Sequence, residues 1–434
     1  MQKKQKGLVW FRNDLRVNDN ESLSNAIGGN DTVIAMYFFD PRHFENTRFG
    51  FKKTEKFRAK FLIESVTALK QNLEKLNIPL LVYHQKPEEI IPEIIAQNGI
   101  NSVYLQEEWT SEEIEVLENI KSKVRDSVAF KSTYNQFQFY PEDIPFDISS
   151  IPNVFSQFRN QCEKSIKVRP EFTVTPLTEE NWTTNETVIP TMETLGYSDF
   201  EMDSRTAFPF SGGENEALKR LKNYFWETKK LSVYKLTRNG LIGTDFSSKF
   251  SPWLANGSIS AKTIYWEIVK YEQEVEKNDS THWLIFELIW RDYFKYVSMK
   301  NGNSIFKIGG ILYKNYDWKN NLSAINNWIN GTTEEPFVNA NMIELQQTGW
   351  MSNRGRQNVA SYFAKELLLD WRIGAAYFEA MLIDYDVHSN YGNWMYVSGV
   401  GNDLRDRKFN IKLQAENYDG QSKFQKLWLQ QQLF

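Results

Sequence analysis

Four stretches in the second half of the chain hold side chains of the kinds that do chemistry. Ser247-Ser248-Lys249-Phe250-Ser251-Pro252 sets three hydroxyls and an ammonium before a predicted helix, with Ser251 suited to the N-cap and Pro252 to the first helical position. Free amides at a helix start plus such donors make an anion site fit for phosphate; an ordinary serine-capped helix is the plain alternative. Glu287 and Arg291 stand four apart on a helix predicted over residues 281–299, with Trp290 beside them. An i,i+4 salt bridge on a solvated face is one meaning. That helix is apolar nearly all round, however, and a buried carboxylate needs partners that a planar ligand rich in N–H groups would supply. Asn353, Arg356, Gln357 and Ala360 share one face of a helix predicted to run from the 352–357 segment to Asp370, with polar groups at its entrance. Residues 383–394 read as a loop with two carboxylates, two amides and three aromatics. Its Asp384 and Asp386 fit paired catalytic acids, a metal site or local turn formers, the last being what such a string means on its own.

The elements that must position these groups follow from hydrophobic periodicity. Apolar runs at residues 7–11, 33–39, 80–84, 102–105 and 128–131 read as strands, and residues 52–76, 87–97 and 111–124 as helices. The alternation predicts a doubly wound α/β domain over residues 1–140. Its first strand runs into Phe11-Arg12-Asn13-Asp14 with no G-x-G-x-x-G, and no P-loop follows any strand, which argues against a dinucleotide dehydrogenase and a P-loop ATPase. Across residues 141–210, Pro141, Pro145, Pro152, Pro170, Pro176 and Pro190 deny long helices, and the segment reads as a connector. Beyond Gly212-Gly213 the pattern is helical, punctuated at Asn239-Gly240, Asn256-Gly257, Asn301-Gly302, Asn330-Gly331 and Gly349. Residues 211–434 thus form an all-α domain.

Composition bounds the rest. A chain of 434 residues, 41% hydrophobic and 24% charged, fits two or three globular domains and excludes disordered, collagen-like and coiled-coil classes. One cysteine, Cys162, excludes a disulfide framework, and four scattered histidines (His43, His84, His282, His388) speak against a metal site. The net charge of −4 divides into 23 Lys/Arg against 29 Asp/Glu before residue 201 and 28 against 26 after it. An acidic protein is no general nucleic-acid binder, but a basic face on the second half admits a polyanion. No apolar run approaches a membrane span, and no targeting segment is evident, so a cytoplasmic location is expected. Aromatics make up 15% of the chain, and eleven of its 14 tryptophans follow residue 200.

Several long motifs resemble the photolyase/cryptochrome family in order and spacing across almost the entire chain: Leu8-Val9-Trp10-Phe11-Arg12-Asn13-Asp14-Leu15-Arg16, the segment from Tyr234 through Ser247 to Leu254, Glu287-Leu288-Ile289-Trp290-Arg291-Asp292-Tyr293, Thr348 to Arg356, and Ile383 to Trp394. Trp350 to Gln357, Val400-Gly401-Asn402-Asp403-Leu404-Arg405 and Phe409-Asn410 resemble its DASH cryptochromes.

The resemblance implies a U-shaped FAD in the helical domain. Ser247, Ser248, Lys249, Phe250 and Ser251 would hold its pyrophosphate. Tyr234, Glu287, Trp290, Arg291, Asn353 and Arg356 would line the flavin and the space above it, and Asp384, Tyr385 and Asp386 would meet the ring and ribitol. Asn390 would face the reactive flavin nitrogen, where an amide supports a reduced anionic flavin and a carboxylate would repel it. The implied reaction is light-driven electron donation from reduced FAD to a flipped cyclobutane pyrimidine dimer, followed by ring splitting and electron return. Glu287 and Asn353 would meet the dimer, Trp290 would stack it, and Arg354, with Arg405, Arg407 and Lys408, would meet phosphates. Trp394, Trp371 and Trp318 match the family's electron-transfer chain, against core packing for most other tryptophans. Gln357 and Tyr396 depart from duplex-acting photolyases as DASH members do, which implies a preference for single-stranded or looped DNA. The family's usual antenna, 5,10-methenyltetrahydrofolate, would be held by Glu107 or Glu108, although Thr110 and Glu113 also form a capping-box pattern. A metal-free monomer acting on DNA, without a membrane, is expected. The rival readings are a blue-light photoreceptor that signals through a protein partner without repair, and a light-independent flavin oxidoreductase. The end of the chain at Phe434, without the long extension common in signalling members, favours the enzyme.

Overall fold

The computed structural model describes residues 4–403 and 405–430. Leu404 and Phe434 lie outside them. The N-terminal strands β1 (Lys6–Trp10), β2 (Thr32–Phe38), β3 (Leu80–Tyr83), β4 (Ser102–Gln106) and β5 (Ala129–Thr133) form one parallel sheet in the order β3-β2-β1-β4-β5. The apolar runs suit it because a parallel sheet is covered on both faces: one core, with Val9, Val33 and Leu69, lies on one side, and another, with Leu8, Val103 and Ile120, on the other. The strand order reverses at β1, between β2 and β4. That switch point leaves a crevice beyond the carboxyl ends of these strands.

Two elements were not expected. The helix Glu21–Gly29 follows β1 and is capped by Asn20, whose side chain accepts from the Leu23 amide at 2.9 Å. An amphipathic helix, Phe155–Ser165, interrupts the proline-rich connector and buries Phe155, Phe158 and Cys162. The capping box does not form: Thr110 precedes Ser111–Lys121 without a side-chain cap bond.

From Glu214 onward the described chain is helical, and the Asn-Gly signals act as stops. Helices end at Asn301, Asn330 and Thr348, with Gly331 and Gly349 left-handed beyond them. The core of this domain buries Trp253, Trp328, Trp371 and Trp394. No described helix is long and apolar enough to cross a membrane.

Buried polar contacts lock the two domains together. Arg16 donates to the carbonyls of Asp19, Asn135 and Gly257, and Lys262 pairs with Asp19 at 2.8 Å, both side chains fully buried. Asp292 accepts from the amides of Gln138 and Phe139 at 2.9 and 2.8 Å. At Gly257, with φ +72, a Cβ would lie 2.0 Å from the Asn13 carbonyl oxygen, so only glycine permits the approach.

Candidate functional site

The helix expected over residues 281–299 is Asp279–Asn301, opened by a capping box between Asn278 and Thr281. Glu287 and Arg291 do not pair on it. Glu287 accepts from Arg238 and from the Trp283 indole at 3.1 Å, whereas Arg291 turns toward the sheet domain and donates to the carbonyls of Gln136 and Leu254. Burial raises the Glu287 carboxyl's pKa, against the lowering by Arg238 and Trp283. Tyr234, on the short helix Tyr234–Thr237, is buried, and its phenol is pushed up by desolvation and then by the Glu287 charge. Arg238 escaped the sequence reading because its partner lies 49 residues away.

Beside this acid, Trp290 is partly exposed. Phe155 from the connector stacks on one face of its ring at 3.7 Å, and Tyr396 meets it edge-on at 6.1 Å.

The Ser247–Pro252 segment differs from expectation. The helix Ser251–Ala255 has Phe250 at its N-cap and Pro252 at its second position, and five residues give little dipole to hold an anion. The shape of the segment comes from Arg220, whose guanidinium donates to the carbonyls of Thr244, Ser247 and Ser248. Lys249 stands in the left-handed region at φ +65, with its ammonium over the rings of Phe246 and Trp350 at 3.4 and 4.6 Å. Burial pushes that ammonium's pKa well below its ordinary value.

The helix expected to reach Asp370 is Asn353–Ser361, followed by a wider turn over Tyr362–Glu366; the chain then breaks at Leu368, which has positive φ. Ser352 caps it, accepting from the Gly355 amide at 3.0 Å. Asn353 is exposed at its start. Arg356 turns inward and pairs with Asp384 at 2.9 Å. Arg354 is engaged by Gln357, Gln414 and Asn239 and lies over the Tyr418 ring at 4.3 Å.

Residues 383–394 are not one loop. Asp386 caps a helix, Val387–Ser398, accepting from the Ser389 amide at 2.8 Å, and pairs with Lys295 at 3.1 Å. Burial would raise its carboxyl, yet Lys295 and the other groups around it hold it well below the ordinary range. The same helix carries Asn390, which donates to the Ala375 carbonyl at 3.0 Å, and Trp394. Tyr385 lies under the Arg58 guanidinium at 4.8 Å.

The polar atoms of this interior are incompletely paired. Lys249 Nζ, Asn341 Oδ1, Glu344 Oε2, Trp350 Nε1, Asp384 Oδ1 and Trp394 Nε1 are buried without a hydrogen-bond partner. Each such group costs about 1–3 kcal/mol. Donors and acceptors are mixed among them, so a ligand with both, as a flavin with its phosphates is, would fit. Burial pushes the Glu344 carboxyl up to about 8, against the nearby charges of Lys249 and Arg356.

Of the three matched tryptophans, Trp394 and Trp371 are buried and Trp318 is partly exposed. Gly374 makes room for Trp394: a Cβ there would stand 2.3 Å from its ring. Trp394 meets Trp328, Phe363 and Phe378 edge-on, and Trp371 meets Tyr391 at 6.1 Å. At the surface, Arg405 and Arg407 share the Asp403 carboxylate and Lys408 pairs with Glu366.

A second space, a cavity of about 830 Å³, opens between the domains at the carboxyl ends of β1, β2 and β4, with Arg291, Lys295, Asp386 and His388 on its far wall. Glu108 lines it, accepting from Gln106 and Asn13 at 2.9 and 3.3 Å. Glu107 instead pairs through its backbone with Thr133 and Gln136. Three buried acceptors in this wall, Gln106 Oε1, Gln136 Oε1 and Glu113 Oε2, have no donor. Burial, and then the Glu108 charge, push the Glu113 carboxyl up to about 7. Arg12 and Arg58 line other parts, where Arg42 and Lys53 are already paired with Asp40, Glu88 and Glu112. One region thus accepts N–H groups while others attract anions, which suits a pterin carrying a carboxylate tail. Among the described residues no cluster of His, Cys, Asp and Glu could hold a metal ion.

Comparison with known proteins places these spaces in context. The DNA photolyase pattern matches residues 7–179, and that of the FAD binding domain of DNA photolyase matches residues 283–432. Cryptochrome DASH of Xenopus laevis is 47% identical over 431 residues, covering 97% of this chain and 82% of that protein. The solved structure of a Synechocystis cryptochrome superimposes with a TM-score of 0.94 at 45% identity, covering 99% of this chain and 89% of that one. An archaeal photolyase from Sulfolobus tokodaii, solved with two FAD molecules, gives 0.78 at 27% identity, covering 98% and 90%.

Proposed function

Because the chain belongs to the photolyase/cryptochrome family and is most like its DASH cryptochromes, we propose that it uses light and FAD to repair cyclobutane pyrimidine dimers in single-stranded or looped DNA. The observation that carries this reading is the placement, on one helix, of a desolvated acid, Glu287, three residues before a partly exposed Trp290 that meets Tyr396 edge-on. An aromatic platform beside a carboxyl group is what a flipped base pair needs: rings to stack on and a hydrogen-bonding partner for its carbonyls.

FAD, when bound in the reduced state, supplies one electron to the dimer under blue light and recovers it after the ring opens. The chain's residues do the rest. Trp290 and Tyr396 receive the flipped bases, with Phe155 backing Trp290. Glu287, its pKa raised by burial, holds a proton or a hydrogen bond at the dimer carbonyl, and Arg238 sets its charge. Asn353 offers an amide at the rim. Arg356 and Asp384 hold each other in place to meet the flavin, and Lys249 and the hydroxyls of Ser247, Ser248 and Ser251 meet the phosphates. Asn390 presents a neutral amide, compatible with a negative flavin. Trp394, Trp371 and Trp318 deliver electrons that keep FAD reduced. Glu108, with the unpaired acceptors around it, holds 5,10-methenyltetrahydrofolate in the interdomain cavity. Arg354, Gln357, Arg405 and Lys408 line the approach of the DNA strand, and the protein acts as a cytoplasmic monomer.

The test is to illuminate photoreduced protein with dimer-containing oligothymidine, single- and double-stranded, and follow the return of thymine absorbance. Recovery on the single strand, and slower recovery on the duplex, is expected. No recovery on either by protein that holds reducible FAD would leave the photoreceptor reading.

A further inference from the structure

We propose that Tyr391 is a second terminal electron donor, branching from Trp371 into the interdomain cavity, so that electrons reach the flavin from inside the molecule as well as through Trp318. This rests on the reading of Trp394 and Trp371 as electron carriers.

Tyr391 belongs to the helix that carries Asn390 and Trp394. Its ring meets that of Trp371 edge-on at 6.1 Å, and Phe306 packs against its other side at 4.7 Å. It also lines the 830 Å³ cavity. One phenol thus touches a buried indole of the electron chain and a space open to solutes. Trp371 itself has no such outlet: it is fully buried, and its indole N–H is tied to the Ile308 carbonyl at 2.9 Å.

A phenol gives up an electron usefully only if its proton can leave. Burial, and then the charges of Glu379 and Glu112, raise the Tyr391 phenol's pKa against Arg48 and Arg372, so the phenol keeps its proton until it is oxidised, and the cavity it lines is where that proton can go.

The balance is one electron and one proton. When bound, oxidised FAD would supply the oxidant under light, and Trp394 would give up the first electron. Trp371 refills Trp394, and Tyr391 refills Trp371. Tyr391 loses its O–H bond as the proton passes to solvent in the cavity it lines, leaving a neutral phenoxyl radical. A thiol or other small reductant entering the cavity then returns a hydrogen atom to the phenoxyl oxygen. FAD gains one electron, and the reductant is oxidised by one.

The experiment uses FAD-loaded protein and compares Trp318→Phe, Tyr391→Phe, the double variant and Trp371→Phe, reading the yield of flavin photoreduction and the electron paramagnetic resonance spectrum after a flash. Trp318→Phe should keep a measurable share of the yield, and adding Tyr391→Phe should lower it at least several-fold, toward the Trp371→Phe level. The Trp318→Phe protein should show a tyrosine radical signal that narrows when the protein is made with ring-deuterated tyrosine and is lost in the double variant. Equal yields in Trp318→Phe and the double variant, or no tyrosine signal in Trp318→Phe protein that still photoreduces, would overturn the branch. The signal is read without substituting Tyr391, so it remains decisive if the variant binds FAD poorly. If wild-type FAD is not photoreduced, or Trp371→Phe reduces as well as wild type, the electron-chain reading fails instead.

Discussion

Around the interdomain cavity charged groups largely answer one another: Arg42 holds Asp40 and Glu88, Lys53 holds Glu112, and Lys295 holds Asp386. In the helical interior Lys249, Asn341, Glu344 and Trp394 end without hydrogen-bond partners. The cavity wall pairs most of its charges and leaves single atoms of Arg58, Gln106, Glu113, Gln136 and His388 without partners, while the interior leaves a whole ammonium, that of Lys249, to be met by what it binds.

Removing FAD is therefore the strongest way to break the contrast. A ligand present at 1,000 times its Kd stabilises the folded state by about 4 kcal/mol. Thermal unfolding of FAD-depleted protein should move down accordingly, whereas adding or withholding 5,10-methenyltetrahydrofolate, the proposed antenna, should move it little; equal shifts would erase the difference between the spaces. Asp384→Asn comes next. It leaves Arg356 without its carboxylate and should cost about 1.5–3 kcal/mol in FAD retention, read by equilibrium dialysis. An unchanged affinity would show that the interior does not depend on that pair.

The smallest effect sharpens the cavity side. Glu113 is raised from 4.5 to about 7, so its contribution to stability is fully present below pH 4.5 and is lost as pH rises through about 7. Glu113→Gln should flatten the unfolding free energy across that window and leave the variant more stable than wild type above it, by roughly 1–3 kcal/mol. A pH profile parallel to that of wild type would mean that Glu113 is solvated after all.

Periodicity made the fold legible. The five strand runs lie within two residues of β1 to β5, and Asn301, Asn330 and Gly349 stop helices where they stand in the chain. The short, polar Glu21–Gly29 escaped because nine residues offer little period to detect, though Asn20 is a clear cap. The site was legible only as fragments. Spacing along a helix suggested Glu287 with Arg291, but the side chains leave that helix in different directions, and the partners that decide their roles, Arg238 and Gln136, lie on other elements. Arg220, which shapes the Ser247 segment, was invisible for the same reason. The capping pattern at Thr110 and Glu113 is a local signal that tertiary context overrode, since Glu113 turns a carboxylate oxygen into the cavity wall.

The Arg16–Gly257 hydrogen bond joins positions 241 residues apart. A ribosome adding ~5–20 residues per second takes roughly 10–50 s to cover that stretch. Through that interval Arg16 and Asp19 are already made, but the Gly257 carbonyl that accepts from the one and the Lys262 ammonium that pairs with the other do not yet exist. The sheet domain must wait with Arg16 and Asp19 wet, and its final stability arrives only late in synthesis. A pause or truncation between the two segments would leave a nearly complete α/β unit that is soluble but unfinished, a natural substrate for chaperones.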